Sequence, residues 1–381
     1  MVRCLYKIII ILNFQLLVKG RICFMSLFIS PLELRARALT DLRLGLPVVI
    51  NLPQPLVVCA AETLTNDRLA ELRSLGEVQG VVSKWRADTL KINAYDGDLA
   101  RIKVPSSVDA RWCQAVADPT MDLTYPLKGP FDTVRDECSK GQRLAISLLK
   151  DAQMLPMAVV VQSPHFLKNF DNTNNITIIQ HDTMYESEYS HVVSAPLPLE
   201  VSQSGRLHIF RPNGGGEEHY AVEVGAPDRS LSVLTRMHSA CFTGDVLGSL
   251  KCDCGPQLKG ALAQMGQEGA GILLYLKQEG RGIGLANKMR AYALQSQGFD
   301  TVEANHRLGF EDDERDFQIG AELLKSLGFL TIRLMTNNPK KVARLQDQGL
   351  TVTERVPLVV GGTAQNSGYL RTKAEKSGHL L

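Results

Sequence analysis

The order of apolar and polar residues separates a mixed first half of the chain from a regularly alternating second half. In the second half, amphipathic segments alternate with short apolar runs. The predicted helices are residues 257–268, 285–298, 316–328 and 339–349, and the predicted strands are residues 271–276, 330–335 and 351–356. Strands that alternate with helices are typical of a layered α/β domain, which is the fold that we predict here.

The first half predicts a compact α+β domain. Its predicted helices are residues 31–45, 65–75 and 139–155, and its predicted strands are residues 47–51, 56–60 and 157–162. We expect Asn66 or Asp67 to cap the second helix. The stretch 163–200 is polar and rich in turn residues, so we place the boundary near residue 198. The predicted domains are therefore residues 25–198 and 199–381.

Residues 1–24 do not fit either domain. An apolar stretch at 8–18 follows Arg3 and Lys7, but Asn13 and Gln15 interrupt it. It is too short to span a bilayer and is not followed by a small-residue cleavage signal. We therefore expect a mis-called or disordered start, and not a targeting segment.

Composition excludes several classes of protein. The 381 residues are 44% hydrophobic and 22% charged, with a formal net charge of +2. These values are ordinary for a globular protein, and they favour neither a nucleic-acid polymer nor an anionic membrane as partner. The 8 cysteines form no regular framework, which is typical of a reducing, cytoplasmic location.

Cys241, Cys252 and Cys254 are the strongest chemical signal in the chain. A catalytic zinc ion takes three protein ligands and leaves one position to water, whereas a structural zinc is closed by four. Three cysteines in a polar, Gly-rich segment therefore predict a zinc site with an open position. The alternative is a set of reduced, buried thiols without a metal. A disulfide between Cys252 and Cys254 would be strained.

Two turns that follow predicted strands carry cations. Residues 277–284 are Gly-rich, contain Arg281 and lead into a helix, which is a favourable arrangement for binding anions. Residues 336–341 likewise lead into a helix and contain Lys340 and Lys341. Because ligands in open α/β sheets lie at the carboxyl ends of strands, both turns suggest a nucleotide pocket. A tight turn and a solvated lysine pair are the alternatives.

Two further segments are ambiguous by themselves. The charge run at 310–316 is more typical of a solvated loop or a helix cap than of a functional site. A tyrosine inside a helix, such as Tyr292, usually packs. The functional alternative for Tyr292 is a proton donor with an ordinary pKa.

Residues 200–381 closely resemble GTP cyclohydrolase II, the zinc enzyme that begins riboflavin synthesis. The resemblance rests on dense motifs in the same order. They are Arg236-Met-His-Ser, Thr243-Gly-Asp, Cys252-Asp-Cys-Gly-Pro-Gln257, Gln278-Glu-Gly-Arg-Gly-Ile-Gly, Arg290-Ala-Tyr-Ala-Leu, Asp300-Thr-Val-Glu-Ala-Asn, Asp313-Glu-Arg-Asp, Thr336-Asn-Asn-Pro-Lys-Lys and Tyr369-Leu-Arg-Thr-Lys-Ala-Glu-Lys.

The resemblance implies a role for each matching residue. Cys241, Cys252 and Cys254 would bind Zn²⁺, and Tyr292 would assist proton transfer beside the opening imidazole ring. Arg315 would act at the α-phosphorus with Asp313 as its acid–base partner, and Mg²⁺ would accompany the triphosphate. The implied nucleotide-binding residues are Arg236, Met237, His238, Ser239, Ala240, Gln257, Glu279, Gly280, Arg281, Thr301, Thr336 and Lys341. A homodimer is also implied.

One position departs from the family. The family motif reads His-Ser-Glu-Cys, and here Ala240 replaces the glutamate before Cys241. The missing carboxylate either alters ligand orientation or substrate choice, or it is neutral because only the backbone is needed. We therefore keep two alternatives to GTP hydrolysis: a cyclohydrolase that acts on a uridine nucleotide in uracil breakdown, and a non-catalytic nucleotide-binding homologue.

The first half resembles a degenerate dihydroxybutanone phosphate synthase. The similar segments are residues 42–49, 59–62, 86–90 and 141–149. The synthase holds magnesium with an acidic run, and the corresponding run here, Asn51 to Cys59, offers few oxygen ligands. Gln142 also stands in place of the family histidine. We predict that this half has no synthase activity and serves as a scaffold, dimerisation element or regulatory domain.

Overall fold

The computed structural model describes residues 16–18, 21–23, 29–163, 176–181, 188–375, 378 and 380. The predicted start segment, residues 1–24, lies outside the described residues except for a short antiparallel pair, β1 (Leu16–Val18) and β2 (Arg21–Cys23). None of the described helices is both long and apolar enough to cross a membrane.

The first half forms one sheet with helices against it. Its helices are α1 (Pro31–Arg43), α2 (Asn66–Leu75), α3 (Lys84–Leu90), α4 (Ala110–Ala117) and α5 (Lys140–Asp151). Its strands are β3 (Val48–Asn51), β4 (Leu56–Ala60), β5 (Val78–Ser83), β6 (Leu99–Lys103), β7 (Met157–Gln162) and β8 (Thr177–Gln180). They pair in the order β6-β5-β7-β4-β3-β8. The predicted α+β fold is confirmed.

The second half contains a larger mixed sheet. Its strands are β9 (Tyr189–Pro196), β10 (Gly205–Pro212), β11 (His219–Gly225), β12 (Val233–Ser239), β13 (Ala270–Leu276), β14 (Thr331–Met335) and β15 (Thr351–Val356). Its helices are α6 (Cys254–Glu268), α7 (Leu285–Gln295), α8 (Thr301–Leu308), α9 (Gln318–Ser326), α10 (Pro339–Asp347) and α11 (Ser367–Glu375). The layered α/β fold is thus confirmed.

The strand order explains where a site can form. The sheet runs β15-β14-β12-β13-β11-β10-β9, and β15, β14, β12 and β13 are parallel to one another. Their carboxyl ends therefore meet at one edge, which is where ligands bind in open α/β sheets. The antiparallel strands β9, β10 and β11 extend the sheet away from this edge.

Two details differ from the sequence prediction. The cap of α2 is Thr65, whose hydroxyl accepts a hydrogen bond from the amide of Arg68, and not Asn66 or Asp67. The predicted boundary near residue 198 falls after β9, yet β9 is paired with β10 in the second sheet. The polar, turn-rich composition around β9 concealed this strand. Strand β9 therefore belongs to the sheet of the second half, and the exact position of the boundary stays a prediction.

The two halves share a hydrophobic core. Every residue of β4 is buried because both faces of the first sheet are covered. On one face, Leu155 and Val159 belong to the same cluster as Ala291 of α7 and Leu308 of α8. Helices of the second half therefore cover part of the first sheet.

Candidate active site

The three cysteines meet at the carboxyl end of β12. Cys241 follows this strand, and Cys252 and Cys254 lie at the start of α6. Their sulfur atoms all lie within 4.8 Å of one another, and those of Cys241 and Cys252 are 3.7 Å apart. Zn–S bonds of about 2.3 Å in a tetrahedron require sulfurs about 3.8 Å apart, so this donor set fits zinc.

The backbone around the thiols leaves room for a metal. A Cβ atom at Gly244 would lie 2.8 Å from the sulfur of Cys252 and 3.1 Å from that of Cys241. Only glycine therefore fits beneath the three sulfurs. Hydrogen bonds from the thiols of Cys252 and Cys254, together with the ammonium of Lys288, lower the pKa of Cys241 far below its usual range.

A buried carboxylate holds the loop that carries Cys241. Asp245 accepts hydrogen bonds from the Cys241 amide at 3.0 Å and from the Tyr275 hydroxyl at 3.0 Å. His238 places its Nε2 atom 3.0 Å from the same carboxylate. His238 thus contributes to the position of Cys241, a predicted metal ligand, as well as lining the cavity.

Glu279 connects the Gly-rich turn to the thiols. Its carboxylate accepts a hydrogen bond from the Phe242 amide at 2.6 Å and from the ammonium of Lys288 at 2.9 Å. Lys288 also lies 3.0 Å from both the Cys241 sulfur and the Thr243 hydroxyl. Desolvation opposes the charge on Lys288, but Glu279 and Cys241 outweigh it and raise its pKa.

The Gly-rich turn has the strained backbone that its glycines suggest. Gly280, Gly282 and Gly284 all have positive φ, and so does Arg281 at 62°. The guanidinium of Arg281 donates to the carboxylate and, at 3.1 Å, to the carbonyl of Asp312. The Nη1 atom of Arg281 is thus engaged with the protein, and anion binding by this turn stays a prediction.

Arg315 and Asp313 form a bidentate ion pair next to the carboxyl end of β12. The carboxylate of Asp313 accepts from the Nε of Arg315 at 2.7 Å and from its Nη2 at 2.6 Å. Burial opposes ionisation of Asp313, but the Arg315 guanidinium outweighs it and holds the pKa of that carboxyl below its usual range. The remaining Nη1 of Arg315 donates to the Ser239 hydroxyl at 3.2 Å.

Arg236 lies deeper in the cavity and remains cationic. Burial lowers its pKa to about 10, which keeps the guanidinium charged at neutral pH. Its Nη1 donates to the Met335 carbonyl at 2.9 Å and its Nη2 donates to Gln257. Its Nε is buried and has no hydrogen-bond partner among the described residues. Such an atom is suited to a ligand, because an unpaired buried donor is costly.

Tyr292 enters the cavity from the face of α7 that also carries Lys288. Burial raises the pKa of Tyr292 to about 12, against the opposing effects of the Lys288 charge and a hydrogen bond with Thr243. The predicted ordinary pKa is therefore corrected upwards. The phenol stays protonated at neutral pH, as a proton donor must.

One cavity brings the predicted residues together. All of the predicted metal ligands and nucleotide-binding residues line it, as do Tyr292 and Arg315. Asp313 alone does not line it, and reaches the site through Arg315. Residues that the sequence analysis missed also line the cavity, namely Lys251, Ile283, Lys288, Ala291, Gln295, Asn305 and Asn337. The spacing of Lys288 and Gln295 about Tyr292 on one helical face is the signal that was available.

Ala240 occupies a restricted place in this cavity. It is buried, and its amide donates to the Leu276 carbonyl at 2.8 Å, which ties the end of β12 to that of β13. The backbone of residue 240 therefore has a structural function that does not depend on its side chain.

Comparison with known proteins assigns this architecture to a family. The family model for GTP cyclohydrolase II matches residues 190–357. GTP cyclohydrolase-2 of Azospirillum brasilense is 41% identical over 365 residues, covering 91% of this chain and 93% of that protein. GTP cyclohydrolase-2 of Shigella boydii is 59% identical over 172 residues, covering 45% of this chain and 88% of that protein.

A solved structure with similarity to the chain is a two-domain 3,4-dihydroxy-2-butanone 4-phosphate synthase from A. baumannii. It covers 86% of this chain and 99% of that chain, at 15% identity and a TM-score of 0.30. This match is too weak to support a conclusion, so the resemblance of the first half to the synthase remains a prediction. The similarity to the Azospirillum protein, in contrast, extends over nearly the whole of both chains, and the chain therefore belongs to the GTP cyclohydrolase II family.

Proposed function

We propose that the chain catalyses the hydrolytic opening of the GTP imidazole ring with release of formate and pyrophosphate, the first step of riboflavin biosynthesis. The observation that carries the proposal is the hydrogen bond between Arg315 and Ser239. It places a cation suited to phosphate next to the strand end that leads into Cys241. Chemistry on the base and chemistry on the triphosphate then share one cavity.

The thiol cluster would hold the metal. Cys241, Cys252 and Cys254 offer three ligands and no fourth among the described residues. A zinc ion bound there would supply Lewis-acid activation of the water that attacks C8 of guanine. The predicted magnesium ion would accompany the triphosphate, because a hard cation prefers oxygen ligands.

Tyr292 would serve the ring-opening half of the reaction. Water adds to C8, the bond between C8 and a ring nitrogen breaks, and that nitrogen takes up a proton. Hydrolysis of the resulting formamide then releases formate. A buried phenol with a pKa of about 12 keeps its proton until a developing amine is available.

Arg315 and Asp313 would serve the phosphate half. The Arg315 guanidinium would stabilise charge at the α-phosphorus while the bond to pyrophosphate breaks. The carboxylate of Asp313 would orient Arg315 through their two hydrogen bonds and act as its acid–base partner. Arg236 and Lys341 would contribute further positive charge at the edge where the parallel strands end.

The first half would take no part in this chemistry. A Cβ atom at Gly141 would lie 2.5 Å from a methyl group of Leu52, so that apolar side chain fills the space beside Gly141. Gln142 hydrogen-bonds to Gln79 at 3.3 Å and completes the cap at Ser139. Packing and capping support the proposal that this half lacks synthase activity.

The remaining expectations are part of the same proposal. A homodimer and a cytoplasmic location are expected from the family resemblance and the reduced cysteines, with no nucleic-acid polymer or membrane as partner. The uridine-nucleotide and non-catalytic alternatives are outcomes that the following experiment distinguishes.

The test is mass spectrometry of the products formed from GTP or from UMP by the zinc-loaded protein with magnesium. We expect formate, pyrophosphate and a diaminopyrimidine ribosyl phosphate from GTP. Cys252→Ser should abolish turnover and lower bound zinc, whereas the matched control Cys138→Ser, in the first half, should alter neither. Turnover of UMP alone would establish the uridine-nucleotide alternative. A protein that turns over neither substrate would establish the non-catalytic one.

A further inference from the structure

The first half of the chain contacts the two segments that carry the proposed catalytic residues. Helix α7 carries Tyr292, and the loop of residues 311–316 carries Asp313 and Arg315. Each segment has its own polar connection to the first half. We define them as the helix contact, centred on Arg290, and the loop contact, centred on Lys150.

The loop contact is an ion pair between the halves. The ammonium of Lys150, on α5, lies 2.6 Å from the carboxylate of Glu314. Their side chains are 22% and 20% exposed, so the pair is only partly screened by water. Glu314 stands between Asp313 and Arg315 in the chain, so its position constrains the backbone of both.

Glu314 is also fixed within its own loop. Its carboxylate accepts from the Glu311 amide at 2.8 Å, and its amide donates to the Arg281 carbonyl at 3.0 Å. A Cβ atom at Gly282 would lie 2.8 Å from the Glu314 backbone, so the loop packs directly on the Gly-rich turn. The Lys150 charge therefore acts on a loop that is already closely packed, where a small displacement changes the direction of Arg315.

The helix contact lies on the face of α7 turned towards the first half. Arg290 lies 2.8 Å from Glu62 and 3.2 Å from Asp118, which come from separate segments of the first half. Next to it, Asn287 donates to the Gln153 carbonyl at 2.8 Å. The buried residues Ala291 and Leu294 add apolar contacts in the shared core.

We propose that Lys150 is a positioning residue for the cyclohydrolase site. Through Glu314 it holds Asp313 in place and keeps Arg315 within hydrogen-bonding distance of Ser239. The inference rests on the proposed function and assigns a task to the first half, which contributes no side chain to the cavity among the residues that line it. The helix contact holds Tyr292 independently of the loop contact. Loss of Lys150 should therefore affect the phosphate half of the reaction more than the ring-opening half.

The experiment uses full-length protein and compares Lys150→Met with Lys150→Arg. The methionine variant keeps the length of the side chain and removes its charge, and the arginine variant keeps the charge. The matched control is Asp151→Asn, which removes an adjacent ion pair between α1 and α5 inside the first half. Pyrophosphate and formate are measured separately, with kcat and KM for GTP, zinc content and the melting temperature.

We expect Lys150→Met to lower the rate of pyrophosphate release about tenfold, since misplacement of a positioned group by a fraction of an ångström has effects of this order. Formate release should fall less, zinc content should not change, and Lys150→Arg should restore most of the rate. Glu314→Gln should reproduce the defect, and the double variant should be no worse than either single variant. A rate equal to that of the wild type, or a loss matched by Asp151→Asn, would overturn the proposal.

A second measurement does not depend on activity. Hydrogen–deuterium exchange should show faster exchange of the amides of residues 311–316 in Lys150→Met, with little change in residues 285–295. If the wild-type protein does not turn over GTP but this local change occurs, the proposed function fails and the positioning by Lys150 stands. Unchanged exchange in 311–316 overturns the positioning role, whatever the substrate.

Discussion

The ammonium of Lys288 lies 3.0 Å from the sulfur of Cys241, within hydrogen-bonding distance of a proposed zinc ligand. Three thiolates and one zinc ion together carry excess negative charge, and the site is largely buried. A cation at this position offsets that charge. Because Lys288 also pairs with Glu279, it links the metal ligands to the Gly-rich turn.

Replacement of this lysine should weaken metal binding. We expect Lys288→Met to bind zinc about tenfold less tightly, in the range typical of residues that support metal ligands. Competition with a chromophoric chelator measures the affinity directly. Lys259→Met, an exposed position on α6, is the matched control and should bind zinc as the wild type does. Unchanged affinity in Lys288→Met would show that the lysine charge is irrelevant to the metal.

Gly244 gives a steric test of the same cluster. An added Cβ would lie 2.8 Å from the Cys252 sulfur and 3.0 Å from the Cβ atom of Cys254. Gly244→Ala should therefore displace the thiols and abolish tight zinc binding. At Gly260, on α6, the nearest atom to an added Cβ is a side-chain methyl of Val360 at 3.4 Å. Gly260→Ala should therefore retain zinc. Full metal content in both variants would contradict the observed crowding.

The sequence could place only those residues of the cavity that follow the ends of predicted strands. Thr336 comes directly after the predicted strand 330–335, so the pattern alone placed it at the carboxyl edge of the sheet. The strand β12, which leads to Cys241, was not predicted, so the sequence did not place the cysteines at that edge. Partners from distant segments were not predictable. The pairing of Arg281 with Asp312 and that of Lys150 with Glu314 depend on how loops fold back in three dimensions.

In the fold, too, elements with a clear local pattern were predicted and those that depend on tertiary contact were not. The uninterrupted apolar run of β4 predicted a buried strand, and the structure confirms it. Helix α8 was missed because its sequence, Thr301–Leu308, is mostly polar. Its few apolar residues, such as Ala304 and Leu308, are buried only because the first half of the chain covers them. Tertiary contact and not local pattern defines this helix.

The separate positions of Tyr292 and Arg315 predict separable half-reactions. Tyr292→Phe should lower formate release about 100-fold, the usual scale for loss of a general acid, while pyrophosphate release changes little. Tyr220→Phe, on β11 and outside the cavity lining, is the matched control. Quantifying both products from GTP tests the prediction. An equal fall in formate and pyrophosphate would mean that the two steps are coupled through the tyrosine.

A buried histidine predicts acid sensitivity of the fold. Burial lowers the pKa of His219 from 6.5 to about 4, and its Nδ1 accepts a hydrogen bond from the Lys277 amide at 3.0 Å. Between pH 6.5 and about 4, His219 is protonated in the unfolded chain but stays neutral in the folded protein. The free energy of unfolding should therefore decrease as the pH falls from 6.5 to about 4, by at most about 3 kcal/mol from this residue.

His219→Gln removes this contribution while it retains a side-chain acceptor for the Lys277 amide. We expect urea unfolding to show a smaller loss of stability between pH 7 and pH 4.5 in this variant than in the wild type. His181→Gln, in the first half, controls for the loss of a histidine as such.

The strand β11 that carries His219 lies beside β13, whose end leads into Lys277 and the Gly-rich turn. Protonation of His219 would break the bond to that turn, so the same variant should also shift the acid limb of the rate profile to lower pH. Identical pH dependence in variant and wild type would mean that His219 already takes up its proton in the folded state.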